Sequence, residues 1–393
     1  MSAPRTDDLL TVSHLVRDGH ARTRGEIGKS LSLRSSTVSE LVGELVERDL
    51  LRESATPPRG RGRPATSLSY NHQRLGSVLV SVIDRTLVAE VVDLAGRVLA
   101  QRTVSPPAEA DNATMGECIR RLVDDALTDS PSGIEICTVV FALSGLLDRT
   151  RSLWCFTSRW PRLRDLDLPA TLPSREREVE IVRNLDAELA GIRLHERHPP
   201  EESALLLHWG QGIGAAFSVD DVIVNRNRGR FCEIGHWGLG DALGRVCTCG
   251  STDCLETVAA LWALGPRLRE HFPDLPLEES ALGEHMRRID PLRSTAMSEA
   301  LAQVLRLTTN LCRLLFPDRV VLSGPFVQNP EVFGRFVQAL ERAPLLKSLD
   351  RIRVSANEMD RRFEITGALH EPFEAALRRL LETGSHRRSA ETP

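Results

Sequence analysis

The chain has no apolar stretch long enough to cross a bilayer, and its opening, MSAPRTDDLL, carries no apolar core of signal length. These absences exclude a membrane-crossing helix and lead us to expect a cytoplasmic protein with no membrane partner. Positive charge is not in excess either: 50 Lys and Arg against 54 Asp and Glu leave a formal net charge of -4. No protein-wide basic field draws the chain to nucleic acid, so any DNA contact must be local. Lysine is nearly missing, with Lys29 and Lys347 among basic residues that are otherwise arginine. That bias reflects a GC-rich genome more than a mechanism. A disulfide framework is also lacking: Cys118, Cys137, Cys155, Cys232 and Cys312 are scattered, the pattern of a reduced compartment. What is present is a globular composition, 41% hydrophobic and 26% charged over 393 residues, enough for two or three domains.

The remaining cysteines gather in Glu233 to Glu256, EIGHWGLGDALGRVCTCGSTDCLE. His236 is followed by Cys247, Cys249 and Cys254. An imidazole and three thiolates are ligands that a tetrahedral zinc prefers, and four of them close its shell. A closed shell leaves no position for water, so the expected cofactor is a structural Zn2+, with no catalytic role. Gly238, Gly240, Gly244 and Gly250 let the backbone fold back far enough to bring the four ligands together.

The first seventy residues read as three helices and a wing. Leu9 to Asp18 carries apolar Leu10, Val12, Leu15 and Val16. Thr23 and Glu26 fit a capping box at the start of a short second helix that runs to about Ser30. A tight turn, Leu31-Ser32-Leu33, precedes a third helix with Val38, Leu41, Val42, Leu45 and Val46 on one face. Its polar beginning, Arg34, Ser35, Ser36, Thr37 and Ser39, suits a recognition helix in the major groove. Leu50 to Glu53 and Ala65 to Tyr70 can pair as strands. Between them lies Pro57 to Pro64, PPRGRGRP, whose Arg59, Arg61 and Arg63 suit phosphates or a narrow minor groove. The alternative for that tract is a solvated linker.

Farther on, strands and helices repeat twice. Val78 to Val92 divides into two strands at Asp84-Arg85-Thr86, and Arg97 to Val104 completes a meander. Ile119 to Leu127 reads as a helix, Ile134 to Leu143 as a strand, Leu185 to Glu196 as a helix and Ser203 to Trp209 as a strand. A hairpin region, Ala215 to Val224, follows, then a helix over Met297 to Phe316, a strand over Arg319 to Ser323 and a last helix over Glu371 to Glu382. The pattern implies two α/β lobes with a cleft between them. We place the boundaries at 1–72, 73–195 and 196–393, with a C-terminal helix able to return to the first lobe.

Glu-Ile-Gly-His, Cys-x-Cys-Gly and Cys-x-Glu resemble the signature of the ROK family of sugar kinases and sugar-responsive repressors. Ser-Thr-Val-Ser in the third helix and Gly-Arg-Gly-Arg-Pro in the wing resemble the winged helix of the family's regulator branch. Arg34 departs from it, standing where a capping Ser is common, so the cap could pass to Ser32 or Ser35. The resemblance implies an α/β fold: a winged helix-turn-helix followed by a two-lobed, actin-like and sugar-kinase-like (ribonuclease H-like) domain. It also implies that the zinc braces a loop whose Glu233, His236 and Glu256 hold sugar hydroxyls, with Asn184, or alternatively Asp186, as a further ligand. Gly145 and Trp160 resemble positions near the sugar, although a tryptophan is by default a packed core residue.

Kinases of the family need a glycine-bearing phosphate loop after the first strand, where this chain reads Ser81-Val82-Ile83-Asp84-Arg85-Thr86. They also need an Asp base in an Asn-Asp-Ala-Asn motif; with Asn184 aligned to its first Asn, Asn184-Leu185-Asp186-Ala187-Glu188 offers Leu185, whereas a one-residue shift would bring Asp186 close to that site. Gly210-Gln211-Gly212-Ile213-Gly214 is either a relic of a phosphate loop or a tight strand connection. The expectation is a non-enzymatic transcriptional regulator, a repressor that binds operator DNA, senses a small carbohydrate and works as a homodimer or homotetramer. The alternatives are a sugar kinase with an appended DNA-binding domain, and a DNA-binding protein whose sugar site has decayed.

Overall fold

The computed structural model describes residues 3–55, 66–172, 178–196, 199, 201–240, 245–347 and 352–389. The first helix, α1, covers Ala3–Arg17 and starts ahead of its apolar pattern. Pro4 is compatible with a first helical turn, while the polar stretch after it carries no periodic signal. Helix α2, Arg24–Leu31, begins as its capping residues dictate. Thr23 Oγ1 accepts the Glu26 N–H at 3.2 Å, and the Glu26 carboxylate accepts the Arg22 N–H at 2.6 Å. Helix α3, Ser35–Glu47, buries Val38, Leu41, Val42 and Leu45. Its N-cap residue is Arg34, which makes no side-chain cap bond. Ser32 is instead the left-handed C-cap of α2, with φ 55°, and Ser35 already lies inside α3. Neither serine takes over the cap.

Strands β1 (Leu51–Ala55) and β2 (Thr66–Tyr70) pair antiparallel, with Leu51 opposite Tyr70. The wing between them, with Arg59, Arg61 and Arg63, lies outside the described residues.

The first lobe is built on β3 (Leu75–Ile83), β4 (Thr86–Asp93), β5 (Val98–Val104) and β6 (Glu135–Leu143). Three short strands, β7 (Leu146–Asp148), β8 (Leu153–Phe156) and β9 (Leu166–Asp167), form a small antiparallel sheet beside it. Strand β10 (Glu178–Arg183) completes the main sheet in the order β10-β6-β3-β4-β5. The second lobe holds β11 (Ala204–Trp209), β12 (Ile213–Val219), β13 (Val222–Ile223), β14 (Arg319–Ser323) and β15 (Arg353–Ala356), ordered β13-β12-β11-β14-β15. Its core is closed by the helix Thr295–Leu315, which buries Met297, Leu301, Val304 and Leu311.

Two helices tie the parts together. The hinge helix, Asn184–Glu196, leaves β10 directly, and its Leu189 and Ile192 pack with Leu206 and Val321 of the second lobe. The C-terminal helix, Arg362–Ser389, crosses it closely. A Cβ on Gly191 would lie 1.9 Å from Phe363 O, and one on Gly367 would lie 1.9 Å from Ala187 O. Glycine on both sides is what lets the backbones approach so far. The C-terminal helix then returns to the first lobe, where Leu369 and Phe373 join Leu79 and Val140. Farther along it enters the N-terminal head: Ala376, Leu377 and Leu381 share an apolar cluster with Leu9, Val12, Val42 and Leu45. Each fully buried leucine there contributes about 1.5–3 kcal/mol. Glu374 adds polar contacts, 2.7 Å from Arg17 and 2.9 Å from His14, and Arg48 donates to Leu381 O at 2.5 Å.

Candidate effector cleft and metal centre

A pocket opens between the lobes. Ser144, Gly145 and Phe156 to Arg159 supply one wall, while Arg183 to Leu185, His208, Gly212 to Gly214, Glu233, His236 and Glu256 supply the other. Gly145, with φ 93°, belongs to it, and any Cβ there would meet Phe156 O at 2.1 Å. Of the residues expected to hold a sugar, Asn184, Glu233, His236 and Glu256 line this one space.

Asp186 does not. It is buried and bonded to Arg183 at 2.7 Å, and it is not among the lining residues. Positions two apart on a helix point roughly 200° away from each other, so Asn184 and Asp186 cannot both face the cleft. Trp160 is likewise core, fully buried and packed edge-on against Trp154 with ring centroids 6.0 Å apart.

Glu256 enters the pocket from the helix Glu256–Ala259. Its Oε1 accepts the Ile213 N–H at 3.2 Å, while Oε2 is buried with no hydrogen-bond partner among the described residues. A buried acceptor without a donor is costly, and a sugar hydroxyl would relieve it. Glu233 stands in the cleft with 36% of its side chain accessible, 3.7 Å from Arg183. The desolvating walls raise its pKa, against the pull of the Arg183 charge. Arg183 itself is committed: it donates to Asp186, to Phe231 O at 2.6 Å and to Ala215 O at 2.6 Å.

Below the pocket lies a network that the sequence did not announce. The Glu279 carboxylate lies 2.5 Å from His208 Nε2 and 3.6 Å from Arg159, and it accepts the Gln211 N–H at 3.0 Å. Burial alone would raise Glu279, but the His208 and Arg159 charges and the Gln211 bond outweigh it and bring its pKa to about 2. For His208, burial opposes protonation and the Glu279 charge overcomes that, so its pKa is raised. On the other side of the ring, Nδ1 lies 3.4 Å from Ser323 Oγ, which donates to Glu188 at 2.7 Å. A lone histidine in the apolar strand LLLHWG was the one available clue to this chain of contacts.

At the cleft's edge the ligand atoms of His236, Cys247, Cys249 and Cys254 lie within 4.8 Å of one another, a donor set that can hold a metal ion. Cys247 Sγ is 3.4 Å from His236 Nδ1, and Cys249 Sγ is 3.5 Å from Cys254 Sγ. In a tetrahedral site with metal–sulfur bonds of about 2.3 Å the ligands stand about 3.8 Å apart, so the spacing fits. With Nδ1 turned to the thiols, His236 keeps Nε2 for the pocket. The other face, the start of α3, exposes Arg34, Ser35, Ser36 and Ser39 and half-buries Thr37.

A family model described as the ROK family matches residues 84–362. The chain belongs to the ROK family. Among its relatives is the DNA-binding transcriptional dual regulator NagC of Escherichia coli (strain K12), 22% identical over 360 residues that span 87% of this chain and 86% of the relative. The xylose repressor of Caldicellulosiruptor bescii is 18% identical over 378 residues, spanning 92% and 94%. A solved ROK family transcriptional regulator, a homolog of E. coli MLC protein, superposes with TM-score 0.68 at 17% identity, covering 96% of each chain. The ROK hexokinase from Thermus thermophilus gives 0.55 at 22% identity, covering 77% of this chain and 99% of its own. The fold of this ROK protein is therefore the two-lobed, actin-like one shared with the sugar kinases, preceded by a helical head. In it, the turn between β3 and β4 holds Asp84 at φ 53°. The Asp84 carboxylate accepts the Glu279 N–H and the Ser280 Oγ–H, both at 2.7 Å, across the cleft.

Proposed function

We propose that this ROK protein is a DNA-binding transcriptional repressor whose cleft senses a sugar. What carries the reading is the C-terminal helix, which joins the sugar cleft to the DNA head. Asn184 and Leu185 of the pocket begin the hinge helix, Gly191 and Gly367 lock that helix to the C-terminal one, and Leu377 and Leu381 end in the core of the head. The relatives' roles as regulator and repressor agree with it.

In this reading Asn184, Glu233, Glu256 and His236 Nε2 hold the hydroxyls, and the orphaned Glu256 Oε2 receives one of them. The metal is a structural zinc, which fixes the His236 ring and the loop that carries Glu233. The sugar acts by population shift, favouring one orientation of the lobes. The hinge and C-terminal helices carry that choice to the head. In a homodimer or homotetramer, two heads must span half-sites about 34–36 Å apart, so a small rotation changes the fit to the operator. Ser35, Ser36, Thr37 and Ser39, with Arg34 and the wing arginines Arg59, Arg61 and Arg63, make the DNA contacts.

Phosphoryl transfer is not part of this function. Leu185 cannot accept the proton of an attacking hydroxyl, and the turn at Asp84 has no glycine to admit a phosphate. A thermal-shift panel of monosaccharides tests the reading. A true effector at a hundred times its dissociation constant stabilises by about 2.7 kcal/mol. Glu256→Ala should abolish that gain. A wild-type protein indifferent to every sugar, or one that consumes ATP in the presence of sugar, would refute it.

A further inference from the structure

The glycine turn after β11 already contains an anion. Gln211 N–H, His208 Nε2 and, farther off, Arg159 converge on one point, and the carboxylate of Glu279 sits there. A backbone amide, an imidazolium and a guanidinium are the donors that phosphates and carboxylates seek. The seating is built in: a Cβ on Gly210 would lie 2.1 Å from Glu279 Oε1, so only glycine admits the carboxylate. Asp84 of the opposite lobe holds the start of the Glu279–Met286 helix in place, by the Glu279 N–H and the Ser280 hydroxyl.

The rest of the pocket follows the same pattern. Its cations are spent. Arg159 donates to Asp84 O at 2.6 Å and to Ser144 Oγ at 3.0 Å, and Arg183 is held by Asp186 and two carbonyls. The Ile213 N–H is taken by Glu256. Among the carboxylates the unspent groups are acceptors, the Glu233 carboxylate and Glu256 Oε2, and beside them Asn184 and His236 Nε2 add only uncharged donors. Such a pocket asks for a ligand that donates. Sugar hydroxyls donate; a phosphate dianion or a uronate adds only negative charge beside two carboxylates.

We propose that Glu279 is a built-in anion that fills the anion-binding corner of the cleft and makes the pocket select an uncharged sugar over its phosphorylated or carboxylated forms. The selectivity rests on the sugar-sensing reading above and deepens it. The filled corner stands independently of it. Glu279 is a specificity residue here: a charged ligand must either evict it from Gln211, His208 and Arg159 or lie against Glu233 and Glu256.

The test uses the full chain as wild type, Glu279→Ala and Glu279→Gln. Calorimetry with inorganic phosphate reads the corner. Thermal shift reads the pocket with D-xylose, D-glucose and N-acetyl-D-glucosamine, each against its phosphate monoester. Wild type should ignore phosphate, and Glu279→Ala should bind it at least tenfold more tightly. A neutral sugar should stabilise wild type at a concentration at least tenfold below that needed of its phosphate, and the gap should narrow in the variants. Should Glu279→Ala not fold, Glu279→Gln keeps the shape and removes the charge. A folded variant with no gain in phosphate affinity overturns the proposal, as does a wild type that prefers a sugar phosphate to its parent sugar. A phosphate gain with no response to any sugar would support the filled corner and refute sugar sensing, so the two failures are distinguishable.

Discussion

Replacing Gly191 with alanine puts a methyl group where the neighbouring backbone leaves no room. The added carbon would lie 1.9 Å from Phe363 O and 2.6 Å from Phe363 C, against a normal contact of about 3.5 Å. No side chain can swing away, because the obstacle is main chain. The hinge helix and the C-terminal helix must therefore separate by more than about 1 Å, and a gap of that size forfeits a quarter to a half of each dispersion contact along the seam. Overpacking of this kind costs about 1–3 kcal/mol. The effect should also be functional, since the seam is the link between cleft and head. We expect Gly191→Ala to melt several degrees lower than wild type and to keep DNA binding while losing most of its response to sugar. Gly334→Ala is the control: it too lies within a helix, Pro330–Arg342, but has nothing within 4 Å of its added carbon. Glycine to alanine in such an open helix should be neutral or stabilise by up to about 1 kcal/mol. A Gly191→Ala protein with wild-type melting and undiminished sugar response would refute the close crossing as the coupling element.

Other outcomes follow from the same structure. Cys249→Ser should lose bound zinc on purification, and metal content unchanged from wild type would refute the four-ligand assignment. Arg61→Ala with Arg63→Ala should weaken DNA binding and flatten its salt dependence by about one unit of slope per lost phosphate contact; an unchanged slope would mean the wing lies off the DNA. Burial would raise Glu374, but the His14 and Arg17 bonds outweigh it and depress its pKa from 4.5 to about 2. The anchorage it provides is thus fully present above pH 4.5 and lost as pH falls toward 2. Its worth is at most about 3 kcal/mol, less after solvent screening. Acid titration should detach the head in that window for wild type and show a much weaker pH dependence for Glu374→Gln.

The parts legible in the sequence are those whose signal is local. The period of Val38, Leu41, Val42 and Leu45 marks α3, and the ligand spacing after His236 marks the metal cluster, because both are decided within a few turns of chain. The helix Pro330–Arg342 is local in the same way: Asn329 caps it, Pro330 opens it, and Val332, Phe336 and Leu340 fall on one face. Strands β7 to β9 are too short for alternation to register. The inner half of the cleft was illegible for a different reason. Arg159 reaches Glu279 only because the lobes meet, His208 reaches it only through the folding of the second lobe, and nothing near Glu279 in the chain marks it as a partner for His208. Asp186 is the alternative to Asn184 that the sequence leaves open, because only the folded helix shows it turned toward Arg183 and away from the cleft lining.

The most direct test of the account is a DNase footprint of the zinc-loaded protein on DNA flanking its own gene, repeated with each neutral sugar of the panel. The account predicts a protected palindromic site that one neutral sugar weakens or abolishes in wild type and leaves untouched in Glu256→Ala. A footprint indifferent to every sugar, or the absence of any footprint from a folded protein that phosphorylates a sugar with ATP, would contradict it.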